Sequence, residues 1–229
     1  MGRLAPAVAA GRAAVRRALC DLPAGSLVLV ACSGGADSLA LASATQHVVR
    51  RLKLRAGLVT VDHGLQEGSG TRAAELVAWA SEASLAPSLA VPVTVDGRPG
   101  GPEAAARQAR YQALAQAAKD SSAAAVLLAH TREDQAETVL LALARGAGPR
   151  GIAGMPVRRV IDGVLFLRPF LDLPRAQTRE VCAELGLTVW DDPHNADSSF
   201  ARVRVREALP VLADLLGPDV VDNLARTAR

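Results

Sequence analysis

The 229-residue sequence predicts an α/β fold: a doubly wound, mostly parallel five-stranded sheet with helices on both faces, plus a short helical C-terminal extension. Three observations predict it. Short apolar runs alternate with helix-period stretches from residue 27 to residue 185, the pattern of a parallel sheet covered on both sides. The segments that follow these runs are unusually polar: Ser33-Gly34-Gly35-Ala36-Asp37-Ser38 after the first, Asp62-His63-Gly64 after the second, His130-Thr131 after the fourth. Sheets of this kind bind ligands beyond the carboxyl ends of their strands, where strand order reverses. Finally, 50% hydrophobic content over this length suffices for one core with a short appendage.

The N-terminal stretch is Ala-rich with Arg12, Arg16 and Arg17, lacks a signal-peptide layout, and predicts an amphipathic helix lying over the sheet. The first strand is 27–32, and a helical run over 37–51 follows the glycine turn. A second strand, 56–61, is followed by a helix over 70–84, and a third, 89–95, by a Gly/Pro loop over 96–102 and a helix over 102–119. The fourth strand is 124–129. Thr131 with Asp134 three residues on predicts a capping box, and Ala136, Val139, Leu140 and Leu143 form the apolar face of the helix it starts. After a glycine-rich loop, 146–154, comes a fifth strand within 163–170. A helix over 174–185 has Pro174 in its first turn and Gly186 just past its end. An irregular segment, 191–201, leads into two terminal helices split by Gly217-Pro218. Residues 1–200 are expected to form the catalytic domain and 201–229 the helical extension.

Composition narrows the class. No charge-free run of 18 apolar residues occurs, so no membrane span is expected. Cys20, Cys32 and Cys182 form no C-x-x-C and read as reduced thiols of a cytoplasmic protein. A net charge of +3 is compatible with a nucleic-acid partner, while 3% aromatic residues argue against a base-stacking platform.

The 33–38 turn carries the most specific chemistry. Adjacent glycines let the backbone approach a ligand, and backbone N–H groups at a helix start converge on one space, with the Ser33 and Ser38 hydroxyls beside them. This is an anion site, and at a strand-to-helix junction the anion is a phosphate. The Gly-Lys-Ser/Thr ending of a Walker loop is absent, and the glycines do not space as G-x-G-x-x-G. Asp37 beside a phosphate makes sense if a Mg²⁺ lies between them. Ser-Gly-Gly-x-Asp-Ser resembles the loop of the PP-loop ATP pyrophosphatases, which cut ATP between the α and β phosphates. A second cluster, His130 with Asp134, Glu133 and Glu137, stands at the start of the helix after the fourth strand. Its ordinary alternative is a capped helix with solvated acids.

Longer stretches sharpen the resemblance. His130 to Thr138, Leu143 to Pro149 and Gly151 to Met155 are similar to blocks of the bacterial tRNA(Ile)-lysidine synthetase family. So are Val61-Asp62-His63-Gly64-Leu65, Pro102 to Arg107 with Arg110-Tyr111, Arg168-Pro169-Phe170-Leu171, and the segment from Asp192 to Arg202. There are departures. Glu133 stands where the family has an Asp, Arg202-Val203-Arg204-Val205-Arg206 lacks the usual Asn, and the family continues into a tRNA-binding part where this chain ends at Arg229.

The resemblance implies a PP-loop fold and a reaction. ATP adenylates O2 of the wobble cytidine of a CAU-anticodon tRNA(Ile), the ε-amine of L-lysine attacks C2, and AMP leaves. It also implies roles. Ser33, Gly34, Gly35, Ala36, Asp37 and Ser38 hold the departing diphosphate, with Asp37 on Mg²⁺. Asp62 and His63 flank the adenosine. His130 touches the α-phosphate or the base, and Asp134 or Glu137 binds the lysine ammonium or takes its proton. Arg107 and Arg110 steady phosphate charge, with Arg110 also available to tRNA; a salt-bridged helix face is their ordinary alternative. Arg202, Arg204 and Arg206 contact phosphate or cytidine. They share one face if extended, whereas in a helix the first and last lie one turn apart; a solvated surface helix is the alternative. The loops 96–101 and 146–154 are candidates to close over the cytosine. A homodimer is compatible with the sequence. The competing readings are a PP-loop tRNA thiolase, for which paired cysteines are wanting, and a non-catalytic ATP- or RNA-binding short form.

Overall fold

The computed structural model describes residues 4–62, 64, 68–94, 102–148, 151–190 and 200–228. In chain order the elements are α1 (Pro6–Leu19), β1 (Leu27–Ala31), α2 (Ala36–Leu52), β2 (Arg55–Asp62), α3 (Ser69–Glu82), β3 (Ser88–Pro92) and α4 (Pro102–Asp120). Then come β4 (Ala125–Leu127), α5 (Arg132–Ala144), β5 (Arg158–Ile161), β6 (Val164–Leu167), α6 (Arg175–Glu184), α7 (Ala201–Leu216) and α8 (Val220–Thr227).

The sheet order is β3-β2-β1-β4-β6-β5. All neighbouring pairs are parallel except β5 with β6. The chain runs outward from β1 through β2 to β3, then crosses to the other side of β1 for β4. The reversal therefore falls between β1 and β4, which pair directly through Val28 with Ala125 and Leu29 with Val126. The polar segments after these two strands meet at that switch point.

Alternation along the strands builds the two layers. Val28 and Val30 point into one apolar cluster, with Leu58, Leu127 and Leu167 and with Val15 of α1 and Leu41 of α2. Leu27 and Leu29 point into the other, with Val126 and Phe166 and with Tyr111, Leu114 and Ala118 of α4. A strand buried on both faces reads as a continuous apolar run, which is why β1 is plain in the sequence. Gly57 on β2 is required by close approach: a Cβ there would lie 2.4 Å from the Pro87 carbonyl oxygen and 2.8 Å from Leu29 Cδ2. The amphipathic α1 buries Ala7, Val8, Gly11, Ala14, Val15 and Leu19 and packs on α2 and α6.

The sheet has six strands where the sequence predicts five. The extra strand is β5, which pairs antiparallel with β6 across Asp162-Gly163. Both turn residues have positive φ, 51° and 79°, the conformation that suits an Asp-Gly hairpin turn. The predicted strand at 163–170 ends at Leu167, because Arg168 folds inward and Pro169 has no N–H for a ladder. The two terminal helices pack against α5, and Arg132 at the start of α5 pairs with Asp222 of α8 at 2.7 Å. Among the described residues no helix is long and apolar enough to cross a membrane.

Candidate active site

The loop after β1 is tied together from within. Ser38 Oγ donates to the Gly35 carbonyl at 2.8 Å and accepts from the Ser33 amide at 3.2 Å. Gly34 has φ 87°, a left-handed conformation that a side chain would strain, while a Cβ there would only touch Leu76 and Trp190 at 3.4 and 3.6 Å. The Trp190 amide donates to the Gly34 carbonyl at 3.0 Å, and the Arg72 guanidinium lies 4.5 Å from the centre of the Trp190 ring. Gly35 is the extended N-cap of α2 with no side-chain cap. The amides of Gly35, Ala36 and Asp37 therefore find no acceptor among the described residues. An N-terminus with free amides and a fixed backbone is what an anion needs. Asp37, in the first turn, accepts a hydrogen bond from the Thr178 hydroxyl of α6. Burial pushes its carboxyl above the usual range, with Thr178 and Arg175 opposing.

Asp134 closes the expected capping box on α5. Its Oδ2 accepts from the Thr131 amide at 2.7 Å and from Thr131 Oγ1 at 3.1 Å. Burial would raise this carboxyl, but Arg175, the Thr131 amide and Arg202 outweigh it and hold it below its ordinary value. Glu137, one turn on, is 0% exposed. Three guanidiniums surround it: Arg175 Nη2 at 3.3 Å, Arg206 Nε at 3.0 Å and Arg202 Nε at 3.2 Å. The Arg202 approach is off the N–H direction, so it is charge pairing rather than a hydrogen bond. Glu133 Oε2 accepts the Arg175 amide at 2.9 Å and so caps α6.

Arg175 joins these acids. Its Nε lies 3.6 Å from Asp37 Oδ2 and its Nη2 lies 3.0 Å from Asp134 Oδ1. Burial disfavours its charge, but Asp134, Glu137 and Asp37 more than compensate and raise its pKa. Sequence reasoning missed Arg175 and Thr178. One signal was available: an arginine opening a helix opposes the helix dipole and implies nearby acids.

A basic group adjoins the acids. Arg168, 1% exposed, donates to the Pro156 carbonyl at 2.8 Å and to the Tyr111 hydroxyl at 3.1 Å. Arg107 reaches the same hydroxyl at 3.5 Å and lies over the Tyr111 ring. Burial works against the Tyr111 phenolate, but Arg168 and Arg107 favour it and lower its pKa. Burial and Arg107 push Arg110 below its ordinary value. Arg107 and Arg168 share the Tyr111 hydroxyl, and Arg110 lies beside Arg107. His130 sits among them. Burial, with Arg110, Arg168 and Arg202 nearby, lowers its pKa to about 3 against the pull of Asp134. It is a neutral imidazole, and its buried Nδ1 has no hydrogen-bond partner among the described residues.

The helical alternative holds for the late arginines. Arg202 and Arg206 of α7 turn one face to Glu137, and Arg202 also donates to Thr138 Oγ1 at 3.0 Å; Arg204 is on an exposed face. Asp62 ends β2 and accepts from the Gly64 amide at 2.9 Å. His63, the loop at 96–101 and residues 192–197 lie outside the described residues. Gln135 staples the end of the second glycine loop, accepting from the Met155 amide at 2.7 Å and donating to its carbonyl at 2.9 Å.

The family described as PP-loop domain matches residues 12–212. The tRNA(Ile)-lysidine synthase of Salinispora arenicola is 66% identical over 230 aligned positions, covering 100% of this chain and 69% of the relative. That of Thermobifida fusca is 59% identical, covering 97% of this chain and 68% of the relative. The chain belongs to the tRNA(Ile)-lysidine synthase family.

Among solved structures, the U34-tRNA thiolase NcsA from Methanococcus maripaludis with its 4Fe-4S cluster superposes with a TM-score of 0.77 over 97% of this chain and 78% of that one. At 17% identity the likeness speaks for the fold alone. Membership of the lysidine synthase family accounts for the sequence blocks that a shared fold does not. The thiols fit that placing. Burial pushes Cys32 up and Cys182 up to about 11, so neither is poised as a thiolate.

Proposed function

We infer that this chain is an ATP-dependent ligase that forms lysidine in tRNA(Ile), with free lysine as the nitrogen donor. The observation that carries the reading is the meeting of a pyrophosphate-type loop and a buried acidic pair across the β1–β4 switch point, with Arg175 between them. One half suits a polyanion and the other a cation.

The steps follow from that division. The free amides of Gly35, Ala36 and Asp37 hold the departing diphosphate as cytidine O2 attacks the α-phosphorus. Asp37 fits a Mg²⁺ that travels with ATP, since such ions use one or two carboxylates plus substrate phosphates. Bound there, it would neutralise charge on the leaving group. Arg107, Arg110 and Arg168 face the developing charge near His130. The neutral His130 ring serves as a hydrogen-bonding group, not a cation. Asp134 and Glu137 receive the lysine ammonium, and one of them takes its proton as Nε attacks C2. The C2–O2 bond then breaks and AMP leaves. Asp62 and His63 are assigned to the adenosine. Arg202, Arg204 and Arg206 are assigned to tRNA, with Arg202 nearest the chemistry. Residues 1–200 are read as the catalytic unit and 201–229 as an extension whose first turns deliver Arg202 and Arg206.

Incubation with labelled lysine, ATP and CAU-anticodon tRNA(Ile) should place label in the tRNA, with one AMP formed per lysine. Label-free tRNA under conditions that consume ATP would contradict the reading. Asp37→Ala should abolish AMP formation while cooperative unfolding persists, and undiminished AMP production by that variant would remove Asp37 from the mechanism.

A further inference from the structure

We propose that Arg175 is a positioning residue that couples the nucleotide half of the site to the lysine half, so that lysine binds tightly only after ATP. The proposal rests on the reading of Asp134 and Glu137 as the lysine site.

Arg175 opens α6, anchored by its amide on Glu133. A cation there works against the helix dipole, and Asp134, Glu137 and Asp37, with Glu133, more than offset its burial. Its grip is uneven. Nη2 sits close to Asp134 and Glu137, at 3.0 and 3.3 Å, whereas Nε stands 3.6 Å from Asp37 and makes no hydrogen bond to it. Asp37 leans on Thr178 instead. The guanidinium thus occupies the lysine half while its other edge faces the loop.

Charge makes the arrangement conditional. Three carboxylates (Asp37, Asp134 and Glu137) meet three guanidiniums (Arg175, Arg202 and Arg206). All three acids already have cationic partners without a ligand, and Glu133 sits beside them on the Arg175 amide. An incoming ammonium would put a fourth cation among three acids whose near oxygens are already taken. A nucleotide changes the balance: its phosphates bring several negative charges to the loop that holds Asp37, on the side where Arg175 is loosely held. The guanidinium is then drawn toward the phosphates, and the oxygens it leaves on Asp134 and Glu137 can accept the ammonium. Arg202 and Arg206 stay on Glu137 and keep it oriented. A ligand shifts such an equilibrium only through its differential interaction with the two arrangements, and the coupling is reciprocal.

The test is calorimetric titration of the full chain with L-lysine, with and without α,β-methylene-ATP, for the native protein and for Arg175→Gln and Arg175→Lys. In the native protein the analogue should tighten lysine at least tenfold, and lysine should tighten the analogue by the same factor. In Arg175→Gln the two lysine affinities should agree within twofold, with the nucleotide-free one stronger than native. Arg175→Lys, which keeps the charge but cannot span both halves, should show reduced coupling and serves if the Gln variant fails to melt cooperatively. A merely structural role predicts weaker binding in both states with the native ratio retained, and that result overturns the proposal. Native lysine binding that is indifferent to the analogue overturns it as well, while leaving the lysine site standing. Native protein that binds no lysine in either state refutes the lysine site and the coupling together.

Discussion

His130 gives the structure its clearest solution signature. Its imidazole is held neutral, with a pKa of about 3 against an ordinary value of 6.5, because burial and the neighbouring Arg110, Arg168 and Arg202 oppose the cation more than Asp134 favours it. The unfolded chain binds a proton at this position below the ordinary value and the folded chain does not. Stability contributed here is therefore complete above pH 7 and is lost as pH falls from 6.5 toward 3. Linkage puts the loss between pH 7 and pH 5 at about 2 kcal/mol. Partial exposure of the ring makes that an upper figure. In a chain of this length the melting temperature should fall by roughly 4–8 °C from this residue alone. His130→Gln, uncharged at every pH, isolates the effect from other titrating groups. Urea unfolding at pH 7, 6 and 5 should show the native protein losing about 1–2 kcal/mol more than the variant. Parallel pH curves for the two proteins would refute the neutral-imidazole argument, as would a ring proton shift that titrates near pH 6.5.

Two more perturbations follow from the geometry. Gly154→Ala would place its Cβ 2.5 Å from Gln135 Oε1 and 2.6 Å from Ala228 Cβ. Gln135 is pinned at both ends to Met155 and cannot yield, so overpacking should cost about 1–3 kcal/mol in urea unfolding, and a change within experimental error would show the loop to be more compliant than argued. Thr178→Val removes the hydroxyl that favours the Asp37 carboxylate. The Asp37 pKa should rise further, so the acid limb of AMP formation should move to higher pH; an unmoved limb would mean that Thr178 does not hold the carboxylate in the working enzyme.

What could be read from the sequence depended on whether a feature was local. The turn at 33–38 was legible because glycine pairing, a strand before and a helix after all lie within a few residues. The Thr131–Asp134 capping box was legible for the same reason. The helix α1 showed through its period alone. By contrast β5 is four residues long and opens with Arg158-Arg159, both exposed at the sheet edge, so it has no apolar run to announce it. Its one local signal is Asp162-Gly163. Strand β6 was overextended because the run into Phe170 stays apolar, while its end is set by Arg168 turning in to Tyr111, 57 residues away. The contacts of Arg175 with Asp134 and Glu137 span 41 and 38 residues, and that of Thr178 with Asp37 spans 141. No window along the chain contains such a pair.

Those long-range charges also bear on the proposed chemistry. Buried ion pairs seldom add net stability, because desolvation cancels most of the attraction. The core of the fold is the pair of apolar layers on the two sheet faces. A cluster of buried acids and arginines at the strand ends is therefore better understood as exchangeable charge. Its layout is segregated: free amides at the start of α2, acids on the first turns of α5, and arginines around Tyr111 and His130 beyond them. Segregation of this kind answers a specific difficulty. A free lysine ammonium would otherwise pair with the triphosphate, and a protonated amine cannot attack a carbon. In the proposed reaction, holding the ammonium on carboxylates would keep it off the phosphates and give its proton somewhere to go. Arg175 stands between Asp37 and Asp134, where the proposed coupling of the two substrates would act.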